Sequence, residues 1–230
     1  MWGGNQLSPR PCDTIRLLIA DDHAIVREGL RRMLGGTEIL VAAEAATGSE
    51  AVELARRLEP DVVLLDIRMP DMDGIAALRE IKRERPQIPV VMLTAYDDPT
   101  WLVQAVAFGA AGYLLKSLEP AELAASIRGV VTGDALISPC DLAAIIQHLG
   151  TEQSEITEPL TGDLSKLTSR ECEVLALLVE GLTNHQIADV LGVAASTIKT
   201  HVQNVMLKLG ASDRTQAAVF AVRAGVGRHG

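Results

Sequence analysis

The 230 residues are 48% hydrophobic, 22% charged and only 3% aromatic, the balance of a globular chain long enough for one ordinary domain and a smaller one. The longest apolar run, 105–115, contains two glycines and is too short to span a bilayer, and residues 1–14 lack the charged start and apolar stretch of a signal peptide, so a cytoplasmic protein is expected. Cys12, Cys140 and Cys172 are odd in number and scattered, which excludes a disulfide framework and a Cys-x-x-Cys zinc knuckle.

After a leader over 1–14, expected to lack structure, residues 15–137 alternate between two patterns. Compact apolar runs at 15–20, 39–43, 62–65, 90–93 and 112–115 are separated by amphipathic stretches with helical spacing. Apolar strands alternating with helices predict five βα units, hence a doubly wound α/β domain around a five-stranded parallel sheet. Residues 138–163 form an acidic linker with no Lys or Arg, with one possible helix at 141–149 and breaks at Pro159 and Gly162. From 164 to 230 an all-α domain of four short helices is expected. Three of its helix starts carry capping-box spacing: Thr168 with Glu171, Thr183 with Gln186, and Asp213 with Gln216. The net charge of −9 divides into −6 through residue 137, −5 over the linker and +2 beyond it. Any nucleic-acid contact is therefore expected at the C-terminal end.

Polar residues interrupt the apolar strands at particular places. Asp21 and Asp22 end the first run, Asp66 the third, Thr94 the fourth and Lys116 the fifth. In an open α/β sheet the carboxyl ends of the strands form the binding edge, so these residues are expected to converge there. Clustered carboxylates with hard oxygen donors favour Mg²⁺. With a lysine and a threonine hydroxyl added, the set suits phosphoryl transfer, Asp66 being the nucleophile that becomes an acyl phosphate. Asp71 and Asp73 are expected to shape the PDMDG turn, with Gly74 supplying an unusual backbone angle. His23 reads as a helix-start residue.

The elements DD at 21–22, LLDIRMPDMDG at 64–74, LTAY at 93–96 and GYLLK at 112–116 occur in order. On these, residues 15–130 resemble a response-regulator receiver domain, the phosphoacceptor half of two-component signalling. The resemblance implies that Asp22 and Asp66, with the carbonyl of Arg68 and help from Asp21, bind the metal. It also implies that Thr94 moves toward the phosphoryl group and lets Tyr113 turn inward. A haloacid-dehalogenase-type phosphatase would carry a second Asp two residues after the nucleophile, where this chain has Arg68.

In the C-terminal part, residues 183–210 read as two helices around a tight turn. In the second, Ile198, Val202, Val205 and Leu209 make one buried stripe and leave Lys199, Thr200, Gln203, Asn204 and Lys208 outside. Such a helix suits the major groove. Residues 167–210 resemble the LuxR-type DNA-binding domain, and its order behind a receiver points to the NarL/FixJ class. His185 and Gln203 stand where basic residues are common in relatives, which lowers the expected salt dependence of binding. The expected DNA contacts are Lys199 and Lys208 on phosphate or base, Thr200 and Gln203 on sequence, and Asn184 and Thr197 on the backbone. Ala217, Ala218 and Ala221 offer a small-residue face for a second copy.

The sequence thus leads to a DNA-binding regulator, not a classical enzyme beyond slow self-dephosphorylation. The resemblance implies that a histidine kinase phosphorylates Asp66 with Mg²⁺ and that the protein dimerises on double-stranded DNA and acts on the transcription machinery, and no membrane partner is expected. The acidic linker, through Glu152, Glu155 and Glu158, is expected to weaken resting DNA binding. The alternative is a constitutive DNA-binding regulator whose receiver is not phosphorylated.

Overall fold

The computed structural model describes residues 14–95, 99–133, 163–211, 214–224 and 226. The leader up to residue 13, the linker with its helix at 141–149, and the Asp213 helix start lie outside them.

The first domain runs β1 (Ile15–Ala20), α1 (Ala24–Met33), β2 (Ile39–Ala45), α2 (Gly48–Leu58), β3 (Val62–Asp66), α3 (Gly74–Glu84), β4 (Val90–Thr94), α4 (Pro99–Ala107), β5 (Gly112–Leu115) and α5 (Pro120–Thr132). The strands form one parallel sheet in the order β2-β1-β3-β4-β5. Strand side chains alternate between faces, so one apolar run feeds two cores. Leu18, Val63, Leu65 and Met92 face the layer containing α2 and α3, whereas Leu17, Ile19, Leu64, Val91 and Leu93 face that of α1 and α5. All five β3 residues are buried, which is why this stretch reads as a continuous hydrophobic run and not an alternating one. The order reverses beside β1 and β3, so the ends of those two strands flank the crevice where such sheets bind ligands.

The second domain opens with a 3₁₀ turn at Leu164–Lys166, followed by α6 (Ser169–Val179), α7 (Asn184–Leu191), α8 (Ala195–Leu209) and α9 (Arg214–Arg223). Thr168 and Thr183 complete the expected capping boxes with Glu171 and Gln186. Gly192 and Gly210 end α7 and α8 in the left-handed conformation, at φ 66° and 67°, where a Cβ would be strained. Ile198, Val202, Val205 and Leu209 form the predicted buried stripe, packed with Val174, Leu175 and Ile187.

The two domains meet along α4 and α9. Leu102, Val103 and Val106 of α4 pack on Ala218 and Val219 of α9, with Tyr113 and Val179 against the same cluster. Ala217 and Ala221 point into the second domain's own core. The small-residue face expected to receive a second copy is therefore divided, part inside its own domain and part on α4. A polar contact lies beside this seam. The guanidinium of Arg214 donates to the Gly133 carbonyl just after α5, at 2.9 Å, and to the Leu182 carbonyl at 2.6 Å.

Candidate functional site

Register brings the predicted polar residues to one edge. Asp66 pairs with Leu93 and Thr94 with Leu115, and the Lys116 amide donates to the Thr94 carbonyl at 2.8 Å. Asp66, Thr94 and Lys116 therefore end neighbouring strands at nearly one level. Asp21 follows β1 and is held in place on both sides of its backbone. Its amide donates to the Ala45 carbonyl, and its own carbonyl accepts from the Arg27 guanidinium at 2.6 Å. Arg27 also meets Glu44 at 3.2 Å. This clamp carries no short-range sequence signature, because it joins the end of β1 to residues of both α1 and β2.

Asp21 is fully buried, Asp66 and Thr94 nearly so. The ammonium of Lys116 bridges the two carboxylates, 2.6 Å from Asp21 Oδ2 and 2.9 Å from Asp66 Oδ2. Burial raises the pKa of Asp66, and the hydrogen bond from Lys116 only partly offsets it. Burial works against the Lys116 ammonium, but its hydrogen bonds to Asp21 and Asp66 outweigh that and raise its pKa. The pair is thus a desolvated carboxylate beside a firmly charged lysine.

Asp22 is more exposed and leans on His23, whose Nδ1 lies 2.6 Å from its Oδ1. His23 is the N-cap of α1, as expected, and its amide donates to Asp21 Oδ1 at 2.9 Å. Among the described residues, Asp21, Asp22 and His23 each offer a donor atom within 4.8 Å of one another. The aspartate oxygens of this group suit a hard divalent cation such as Mg²⁺. Asp66 is not in that group; one of its oxygens is held by Lys116. Arg68 follows two residues after Asp66 in an exposed position.

The turn after β3 departs from expectation in one respect. Asp73 caps α3, accepting from the Ala76 amide at 2.8 Å. The left-handed residue is Asp71, at φ 70°, and not Gly74. Gly74 is required by proximity: a Cβ there would lie 2.0 Å from the Asp66 carbonyl oxygen. Tyr113 on β5 is partly buried, and it touches both the α2/α3-side core and the α4–α9 cluster.

On the second domain, Lys199, Thr200, Gln203 and Thr197 are exposed on α8. Lys199, Gln203 and Met206 line a cleft of about 490 Å³ between the domains, across from Glu59 and Asp61. The cleft has room for solvent but not for a duplex. Two expected DNA contacts have other partners in this structure. Lys208 is bound to both oxygens of the buried Glu171, at 2.6 and 2.9 Å. That hydrogen bond, with one from the Thr168 amide, lowers the Glu171 pKa to about 2. Asn184 is buried, 3.4 Å from the Gly133 carbonyl and 3.2 Å from Arg214. Nothing local in the sequence announces either contact, since the partners are 37 and 51 residues away.

Comparison with known proteins gives one family for both halves. Residues 17–128 match the response regulator receiver domain, and residues 165–221 match the bacterial regulatory proteins of the luxR family. The transcriptional regulatory protein LnrK of Bacillus subtilis is 41% identical over 92% of this chain and 98% of its own. LiaR of the same organism is 40% identical over 91% and 97%. The chain is a two-component response regulator. Among solved structures, a LuxR-family response regulator from Aurantimonas matches with 35% identity and a TM-score of 0.54, over 59% of this chain and 97% of its own. RcsB of Salmonella typhimurium, at 25% identity and a TM-score of 0.54, aligns over 92% of this chain and all of its own. Another RcsB structure is a complex with DNA, matching at 25% identity and 0.52 over 93% of this chain and 99% of that one. As a response regulator with a LuxR-type helix–turn–helix, the chain is a DNA-binding transcription regulator and not a classical enzyme. No helix among the described residues is long and apolar enough to cross a membrane.

Proposed function

We propose that Asp66 is the phosphoacceptor of this response regulator and that its phosphorylation frees the helix–turn–helix to act on DNA. The observation that carries the reading is the buried Asp66 carboxylate with the Lys116 ammonium 2.9 Å away at the crevice of the sheet. An Asp66 oxygen attacks the phosphorus of a phosphohistidine on a histidine kinase, or of acetyl phosphate. The bond to the donor nitrogen or oxygen breaks, and imidazole or acetate leaves with its electron pair. Lys116 stabilises negative charge on the phosphoryl oxygens, and the Thr94 hydroxyl donates to one of them. Asp21, Asp22 and Asp66, with the Arg68 carbonyl, would hold a Mg²⁺ ion, which would supply further charge neutralisation. Hydrolysis of the acyl phosphate resets the protein slowly, without making it a turnover enzyme.

The switch then runs through Tyr113. Its ring belongs to the cluster that joins α4 to Ala218 and Val219 of α9. Recruitment of Thr94 to the phosphoryl group makes room for Tyr113 to move inward, which withdraws its support from that seam. Release opens the cleft lined by Lys199 and Gln203 and exposes Ala218 for pairing with a second copy on double-stranded DNA. Thr200 and Gln203 read the major groove, and Lys199 and Thr197 meet the phosphate backbone. Asn184 gains its backbone contact only after leaving Gly133. Lys208, by contrast, stays on Glu171 and holds the domain together. The regulator works where histidine kinase, DNA and the transcription machinery meet, in the cytoplasm.

The test is intact-protein mass after incubation with acetyl phosphate and Mg²⁺. A phosphoryl adduct on the wild type and none on Asp66→Asn is the expected result. An adduct of equal yield on the variant would remove Asp66 from its role.

A further inference from the structure

Opposite the buried stripe of α8 runs a second stripe with the same spacing: Ser196, Thr200, Gln203 and Leu207. All four are exposed, and Leu207 is 81% accessible, with no part in the helical core. What this face presents is narrower than its sequence suggests. The Thr200 hydroxyl donates to the Ser196 carbonyl at 3.1 Å, so its proton is used within the helix and its methyl group remains as the free end. Lys208 is used by Glu171. Lys199, at the margin of the stripe, is the other cation of the helix. Along its centre the face offers a serine hydroxyl at its first turn, then a methyl, a carboxamide and an isobutyl group, and no guanidinium.

Each base edge in the major groove calls for a different complement. Adenine presents an acceptor beside a donor, which a carboxamide matches with two bonds. Thymine presents a C5-methyl group that apolar side chains cover. Guanine presents two acceptors and is met mainly by arginine or lysine. We infer that α8 reads A·T-rich half-sites, with Gln203 on adenine N6 and N7 and with Thr200 and Leu207 against thymine methyl groups. The inference rests on the DNA-regulator reading and adds the class of sequence recognised.

The full-length chain, treated with acetyl phosphate and Mg²⁺, is used to select duplexes from a pool with a randomised window. Half-sites dominated by A·T pairs are expected, and Gln203→Lys should change one position from adenine to guanine. A second measurement uses the wild-type protein alone. Replacing a selected thymine by uracil removes only the C5-methyl, and affinity should fall about fourfold per covered methyl. Leu207→Ala should make the protein indifferent to the methyl that Leu207 covers. G·C-rich half-sites, or uracil tolerated at every position by the wild type, would overturn the inference while leaving a DNA-binding regulator. No enrichment of any sequence would instead overturn the DNA-regulator reading on which it rests.

Discussion

Gly74 and Lys208 show how single residues here are tied to the site through distance. A Cβ at position 74 would stand 2.0 Å from the Asp66 carbonyl, so Gly74→Ala must displace the end of β3. Such overpacking costs roughly 1–3 kcal/mol, and the displaced carboxylate should accept phosphate more slowly than wild type. Denaturant unfolding and the rate of adduct formation read the two effects separately. Lys208 makes a different prediction. Glu171 is buried and its pKa is lowered to about 2 by the Lys208 hydrogen bond. A lowered carboxylate pKa stabilises the folded state above the unfolded value near 4.5, and this is lost as pH falls toward 2. Lys208→Met strands that carboxylate and should destabilise the second domain by about 1–3 kcal/mol at neutral pH. The gap in melting temperature between variant and wild type should be constant above pH 5 and close as the acid limb is reached. A constant gap down to pH 2 would contradict the pairing. The carboxylates of the site were legible because each ends an apolar run. The partners of Lys208 and Asn184 were not, because a helical wheel shows which residues face outward but not what stands there.

The elements themselves follow closely from pattern. Fully buried parallel strands read as unbroken apolar runs, and the paired Thr and Glu or Gln signatures at α6 and α7 mark their starts through capping hydrogen bonds. The last helix was less legible. An alanine-rich face is compatible with a domain's own core, with a second copy or with another domain, and α9 divides its face between the first and the last of these. Its contact with α4 is small and apolar, so one charge should break it. Ala218→Glu places a carboxylate against the apolar side chains of Leu102, Val103 and Val106. The variant should bind DNA more tightly than wild type when neither is phosphorylated, measured at one fixed salt concentration. Equal resting affinity would mean that the α4–α9 seam does not restrain the second domain.

At the scale of the molecule, the charge division anticipated which half meets DNA, but not that the two halves close on each other. The cleft sets Lys199 and Gln203 across from Glu59, Asp61 and Lys82 of the receiver, so the face proposed to meet DNA rests against the receiver. In the proposed switch, phosphorylation at one end of the sheet is coupled to occlusion beside α5 through β5 and α4, against which Tyr113 packs. The affinity of the full-length protein for its selected duplex, with and without acetyl phosphate, for wild type and Asp66→Asn, tests this coupling most directly. The account predicts that the phosphodonor tightens binding by the wild type and leaves the variant unchanged at the resting value. Equal affinity of both proteins under both conditions would contradict it and make the chain a constitutive DNA-binding protein.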